Sequence, residues 1–299
     1  MARATIHGLD VHYNVRGSGP SLLFVHGGFG GMASTLSPND QDWADGLTDR
    51  YTFIHYDRRS TGRSAYPDTG YDLETLARDA HGLLAHLELR EAFVMGDSAG
   101  GPIAITFALL HPEMTRGLVL AETGARLLGG SFGARIRERV EVLCRDGADA
   151  AYAARKAAGS VGLGERTQWY TLPDHVQTRV AREQEAATER LRQTAREDRV
   201  RWYAGELWNY AAYLDVDLHP RLADIGCPTL VLHGDRDPLV PHALGAALAA
   251  GIPAAELVTV PDAEHGVMYF PGARTALRRW LDEQTLTPPG NRNDRSASE

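Results

Sequence analysis

Short apolar runs separated by helical patterns dominate the chain. Residues 4–16, ATIHGLDVHYNVR, alternate loosely between apolar and polar positions around Gly8 and predict a hairpin at a sheet edge. Residues 21–25, SLLFV, form a continuous apolar run that stops at glycines, the pattern of a strand buried on both faces. Similar runs follow at 51–56, 92–95, 117–122, 228–234 and 256–260. Between them lie helical patterns. The clearest is 73–89, where Leu73, Leu76, Ala77, Ala80, Leu83, Leu84 and Leu87 share one stripe. Others cover 100–110, 242–251 and 273–284. Alternating strands and helices of this kind predict an α/β fold, a doubly wound and mostly parallel sheet. The rhythm breaks at 124–223, where no strand is evident and helices with Arg and Glu on the outside are expected. The predicted organisation is a core of 1–123 and 224–285, an inserted helical segment of 124–223, and a Pro/Gly/Asn/Ser-rich tail, 286–299, expected to be disordered.

Composition narrows the function classes. The 299 residues can bury a substantial core, and a net charge of −8 argues against a nucleic-acid ligand or a polybasic membrane anchor. The expected partner is a small-molecule substrate, with neither nucleic acid nor membrane involved; the sequence does not indicate an oligomeric state. No apolar run reaches membrane-spanning length, and the first residues lack the apolar core of a signal peptide, so a cytoplasmic location is expected. Two distant cysteines, Cys144 and Cys227, fall outside any metal-ligand spacing and read as two buried thiols. Lys156 is the only lysine, so a lysine-based mechanism has a single candidate.

Chemistry concentrates where strands end. Gly96-Asp97-Ser98-Ala99-Gly100 matches G-x-S-x-G, and it stands between an apolar strand and an apolar helix, the context that pattern requires. Small residues on either side of Ser98 let strand and helix approach while the hydroxyl stands clear. Ala99 opens the helix, so its N–H is a candidate oxyanion donor. His26-Gly27-Gly28-Phe29-Gly30-Gly31 follows the first central strand, and a second donor is expected from the N–H of Gly28 or Phe29. It is no phosphate loop, since neither G-x-G-x-x-G nor a Walker lysine is present. His26 itself reads as a structural residue that holds the loop.

A serine nucleophile needs a histidine base and a carboxylate to orient it, in the chain order Ser, Asp or Glu, His. Strand 228–234 runs into Gly234-Asp235-Arg236-Asp237-Pro238, and strand 256–260 runs into Asp262-Ala263-Glu264-His265-Gly266. Asp237 and His265 are therefore the candidate acid and base. Asp235 and Glu122 compete for the acid role, and His233 and His242 for the base. No metal site and no organic cofactor is expected.

Taken together, the HGG loop, the turn Asp57-Arg58-Arg59-Ser60-Thr61-Gly62-Arg63-Ser64, the GDSAG motif, GDRDPLVP and the late His265 resemble the α/β-hydrolase superfamily over residues 4–284. Ser60 stands where that family usually has Gly. The resemblance implies a sheet flanked by helices with a cap, residues 124–223, inserted between core strands six and seven. It implies a serine hydrolase acting on an ester, lactone or amide bond. Within the superfamily the chain is similar to proline iminopeptidases and to polyketide methylesterases. A proline-iminopeptidase-like aminopeptidase, with Glu206 binding a free amino terminus, and a non-hydrolytic ligand-binding or cyclising protein are the alternatives. A serine nucleophile argues against epoxide hydrolases and dehalogenases, which use Asp. The aromatic residues of the segment, Trp169, Tyr170, Trp202, Tyr203, Trp208, Tyr210 and Tyr213, are expected mostly to pack it onto the core. Trp202, Trp208 and Tyr210 are the candidate substrate contacts.

Overall fold

The computed structural model describes residues 2–30, 42–157, 189 and 192–286. Eight strands form one sheet: β1 (Ala2–Ile6), β2 (Leu9–Arg16), β3 (Ser21–Val25), β4 (Thr52–Tyr56), β5 (Ala92–Asp97), β6 (Thr115–Ala121), β7 (Thr229–Gly234) and β8 (Ala255–Val260). Their order is β1-β2-β4-β3-β5-β6-β7-β8. The first two strands form the expected hairpin and join antiparallel, β2 pairing with β4, and every later pair is parallel.

The apolar runs are continuous because both faces of the sheet are covered, and alternate residues serve the two faces. Leu23, Val25, Val94, Leu118, Leu120 and Val231 point into one core. Leu22, Phe24, Phe93, Met95, Val119, Leu230 and Leu232 point into the other. Helices α1 (Leu73–His86) and α2 (Gly100–Leu110) pack on the first side, as does Leu248 of α5 (His242–Gly251). Helix α6 (Pro271–Leu286) closes the second side through Leu277, Trp280 and Leu281. Asp72 caps α1 by accepting from Thr75 N, which ends the loop and fixes the start of the predicted stripe.

Between β6 and β7 the chain forms α3 (Gly130–Ala157), interrupted at Gly147 (φ 85°, ψ 175°), and α4 (Arg196–Ala211). These helices pack on one another. Cys144, expected to be buried, is exposed on the outward face of α3, and Cys227 is half-buried before β7. The expected tail begins at the last helical residue, Leu286, and the rest of it, with Trp169 and Tyr170, lies outside the described residues. Among the described residues, no helix is long and apolar enough to cross a membrane.

Candidate active site

Strands β3 and β5 are neighbours, yet the chain leaves β3 towards β4 on one side and later enters β5 on the other. Connections diverge at their carboxyl ends, and open α/β sheets bind ligands at such switch points. The loop 26–30 follows β3 and Ser98 follows β5, so both stand in this crevice. A Cβ on Gly27 would lie 3.0 Å from Asp97 Oδ2 and 3.1 Å from Ser98 Cβ, so only glycine lets the loop lie this close to the turn.

Ser98 itself has φ 47°, a left-handed conformation that costs a non-glycine residue about 1–3 kcal/mol. Neighbours hold it there. Its N–H donates to Ala121 O at 2.9 Å, and its carbonyl accepts from Gly101 N at 3.0 Å and Thr123 Oγ1 at 2.6 Å. The tight turn needs a bare backbone before it: a Cβ on Gly96 would sit 2.6 Å from Gly100 O and 2.7 Å from Ala104 Cβ. The result leaves Ser98 half-buried at the head of α2, with Ala99 as the residue before the first helical turn. No acceptor among the described residues takes the N–H of Ala99 or of Phe29. Among the described residues the two are unshared donors on the two sides of the crevice.

The loops after β7 and β8 bring Asp237 and His265 together. His265 Nδ1 donates to Asp237 Oδ2 at 2.8 Å, which leaves Nε2 as the acceptor of a neutral ring. The other carboxylate oxygen, Asp237 Oδ1, accepts from Leu239 N and Val240 N, both at 2.8 Å, so the acid is fixed before it meets the imidazole. Asp235, two residues away, is exposed, and no hydrogen bond joins it to His265 among the described residues. His233 is fully buried, with Nε2 on Val240 O at 2.8 Å and 3.7 Å from Asp237 Oδ2; it braces the acid loop from beneath. His242, the first residue of α5, shares a hydrogen bond with Thr259 Oγ1 at 2.8 Å. His26 donates from Nδ1 to Gly27 O at 2.7 Å, and burial, with the charge of Arg58, lowers its pKa to about 3, so it stays neutral.

Glu122, the other competitor for the acid role, sits close by and plays a different part. It directly follows β6 at φ 41°, is enclosed, and accepts from Gly266 N at 2.6 Å and Val267 N at 2.5 Å. Its Oε1 lies 3.8 Å from His265 Nε2. Glu122 therefore clamps the loop that carries the imidazole, while Asp237 contacts the imidazole itself. Burial pushes its pKa up to about 8, despite the two backbone donors. Its carboxyl is hydrogen-bonded to that of Asp97, which burial and the neighbouring Glu122 raise well above the usual carboxylate range. Two carboxyls in contact away from water hold a proton between them. Glu122, Asp237 and His265 also offer ligand atoms within 4.8 Å of one another, the one place among the described residues where three side chains could hold a cation. In the present arrangement those groups are committed to the hydrogen bonds above.

The inserted helices reach the crevice through aromatic rings. Tyr210 is buried and stacks on Phe29, with ring centroids 4.1 Å apart, and Tyr213 meets Phe29 edge-on at 5.0 Å. Trp208 is half-buried and stacks on Tyr71 at 6.2 Å, away from Phe29, and Trp202 is half-buried. Glu206 pairs with Arg155 at 3.6 Å, and Lys156 is exposed near the end of α3. Ser60, the residue in the family's glycine position, has φ 52° and bonds Tyr71 through its hydroxyl, so the turn keeps the glycine conformation. Sequence reading passed over Arg58 and Thr123. Arg58 lies within the Asp57–Ser64 turn and Thr123 just after the β6 run, but their backbone acceptors, Gly28 O and Ser98 O, are distant in sequence.

Comparison with known proteins agrees with this fold. The family model described as "alpha/beta hydrolase fold" matches residues 20–271. The protein named "Putative carbamate hydrolase RutD" in Rhizobium rhizogenes is 30% identical over 266 residues, covering 88% of this chain and 90% of that one. A thermophilic esterase from Thermogutta terrifontis superposes with TM-score 0.68 at 24% identity, covering 95% of this chain and 98% of that one. The enol-lactonase from Burkholderia xenovorans LB400 superposes with TM-score 0.68 at 21% identity, covering 96% and 100%. The chain belongs to the α/β-hydrolase family and is an enzyme of the hydrolase class.

Proposed function

We propose that this hydrolase cleaves an ester, lactone or amide bond, carbamates included, in a small organic molecule by way of an acyl-enzyme. Ser98 Oγ attacks the carbonyl carbon while His265 Nε2 takes its proton. The tetrahedral oxyanion is held by the N–H groups of Ala99 and of the 28–29 segment. Collapse breaks the bond to the leaving group, which takes the proton from Nε2. Water, deprotonated by the same nitrogen, then attacks the acyl carbon and releases Ser98 with its proton restored. Asp237 holds the ring in the required tautomer and stabilises its charged form. Helices α3 and α4 act as the cap that shapes the substrate site. The observation that carries this reading is the 2.8 Å His265–Asp237 bond, with its acid pinned by two backbone donors, on the rim that also carries the strained Ser98.

The bond class draws support from the carbamate hydrolase RutD and from the esterase and enol-lactonase that share the fold. The aminopeptidase alternative would need an unpaired cap carboxylate for a free amine, and Glu206 is already paired with Arg155. Labelling with a fluorophosphonate, followed by peptide mapping, tests the nucleophile. Label is expected on Ser98 and nowhere in Ser98→Ala. A panel of p-nitrophenyl esters, lactones, carbamates and aminoacyl anilides then sorts the substrate. Activity surviving at more than a few per cent of wild type in Ser98→Ala would overturn the reading.

A further inference from the structure

Arg58 stands in the turn after β4 and is 1% exposed, one of the largest fully enclosed side chains. Its neighbour Arg59 is equally enclosed and is matched in the ordinary way, by a fork of two bonds to Asp79 at 2.6 and 2.9 Å. No carboxylate among the described residues pairs with Arg58, and its Nε has no partner. A charge enclosed without a counter-charge is expensive. What Arg58 does hold is a backbone carbonyl: Nη2 donates to Gly28 O at 2.5 Å. Nη1 reaches the hydroxyl of Tyr213 at 3.5 Å, and that hydroxyl donates in turn to Ala99 O.

Gly28 O belongs to the same peptide unit as the N–H of Phe29. In a trans peptide the two groups point in opposite directions. With the carbonyl turned onto Arg58, the Phe29 N–H faces away from the guanidinium, and this selects Phe29 over Gly28 as the donor of the loop. The second side of the crevice is built alike. The N–H of Ala99 shares its peptide unit with Ser98 O, which accepts from Thr123 Oγ1 at 2.6 Å. A donor on a peptide oxygen polarises the unit and strengthens its N–H as a donor.

We infer that Arg58 and Thr123 are positioning residues for the oxyanion site, each orienting and polarising, from behind, the peptide whose N–H receives the developing charge. The inference rests on the proposed serine mechanism. It predicts a loss confined to the transition state, because the substrate carbonyl in the ground state carries little charge.

The test uses Thr123→Val, which removes only the hydroxyl at constant shape, with Thr123→Ser as the conservative control. Arg58→Met and Arg58→Lys form the second pair. Each is assayed for kcat and KM on the panel substrate turned over fastest by wild type, and for inhibition by an aryl trifluoromethyl ketone, whose serine adduct carries an oxyanion. Thr123→Val and Arg58→Met are expected to lower kcat by about tenfold to a hundredfold, less than loss of a direct donor, with KM within about twofold. The inhibition constant should rise in the same proportion, and Thr123→Ser should recover most of the loss. Should Arg58→Met fail to fold, the Thr123 pair decides. Unchanged kcat, or a fall in kcat with inhibitor affinity intact, overturns the inference. Wild-type labelling by the fluorophosphonate separates the two readings: no label on Ser98 removes the serine mechanism itself, whereas label with unaltered variants removes only the roles of Arg58 and Thr123.

Discussion

Two carboxylates flank His265, and their surroundings give them different work. Asp237 contacts Nδ1 and receives two backbone N–H bonds on its other oxygen, so it orients the ring. Asp237→Asn is expected to lower kcat by about 10⁴, by presenting an amide donor to Nδ1 and forcing the wrong tautomer, while Asp235→Asn on the exposed neighbour leaves kcat near wild type. Steady-state kinetics on both variants distinguishes them, and a larger loss at Asp235 would move the acid. Glu122 instead holds the backbone of 266 and 267, and burial raises its pKa from the ordinary 4.5 to about 8. The folded protein therefore keeps a proton there that the unfolded chain releases. Stability contributed by this group is complete below pH 4.5 and is lost as pH rises towards 8. Glu122→Gln keeps an acceptor for the two N–H groups and has no proton to lose. The melting temperature of Glu122→Gln relative to wild type is expected to climb between pH 5 and 8, measured by thermal denaturation across that range. A difference independent of pH would show that Glu122 is ionised in the folded state.

Local pattern carried most of the elements, because each strand's residues report directly on what covers them. The run 22–25 is apolar throughout since both faces of β3 are packed, and the stripe Leu73–Leu84 is regular since α1 lies on one face. Pairing between distant elements was not legible. Nothing in the hairpin 4–16 says that β2 joins β4, and nothing in DRRSTGRS separates Arg58 from Arg59. That distinction exists only once α1 brings Asp79 beneath the turn. The Arg59–Asp79 fork, 6% and 5% exposed, ties the β4 turn to α1 and makes a stability prediction. Asp79→Ala leaves an enclosed guanidinium unpaired and should cost about 3–5 kcal/mol in a denaturant titration. A change below about 1 kcal/mol, the range of exposed pairs, would mean that water reaches the fork.

For the molecule as a whole, the sheet supplies a fixed rim and the inserted helices supply what lies above it. The positions of Ser98, Asp237 and His265 at strand ends were legible because glycines and acidic turns punctuate apolar runs. The inserted segment's contribution was legible only as aromatic content, since which ring meets which loop depends on how α4 is seated. Trp202, Trp208 and Tyr210 now separate: Tyr210 lies on Phe29, Trp208 on Tyr71. Tyr210→Ala should lower kcat/KM on p-nitrophenyl acetate as well as on a bulky ester, by about tenfold, because it frees the loop proposed to bear an oxyanion donor. Trp202→Ala and Trp208→Ala should change the ratio between the two esters while sparing the acetate. Equal behaviour of all three variants on both esters would mean that the segment neither selects substrate nor supports the loop.

The Phe29–Tyr210 stack also constrains how this enzyme can diversify. Phe29 follows β3 and Tyr210 lies in α4, far apart in sequence, yet their ring centroids are 4.1 Å apart. A chimera that imports residues 124–223 from another member inherits a foreign residue under Phe29, and the graft works only if position 29 is exchanged with it. Those two sites therefore form one unit of inheritance, and shuffling experiments that cross between them should yield functional recombinants far less often than crossovers that keep the pair together.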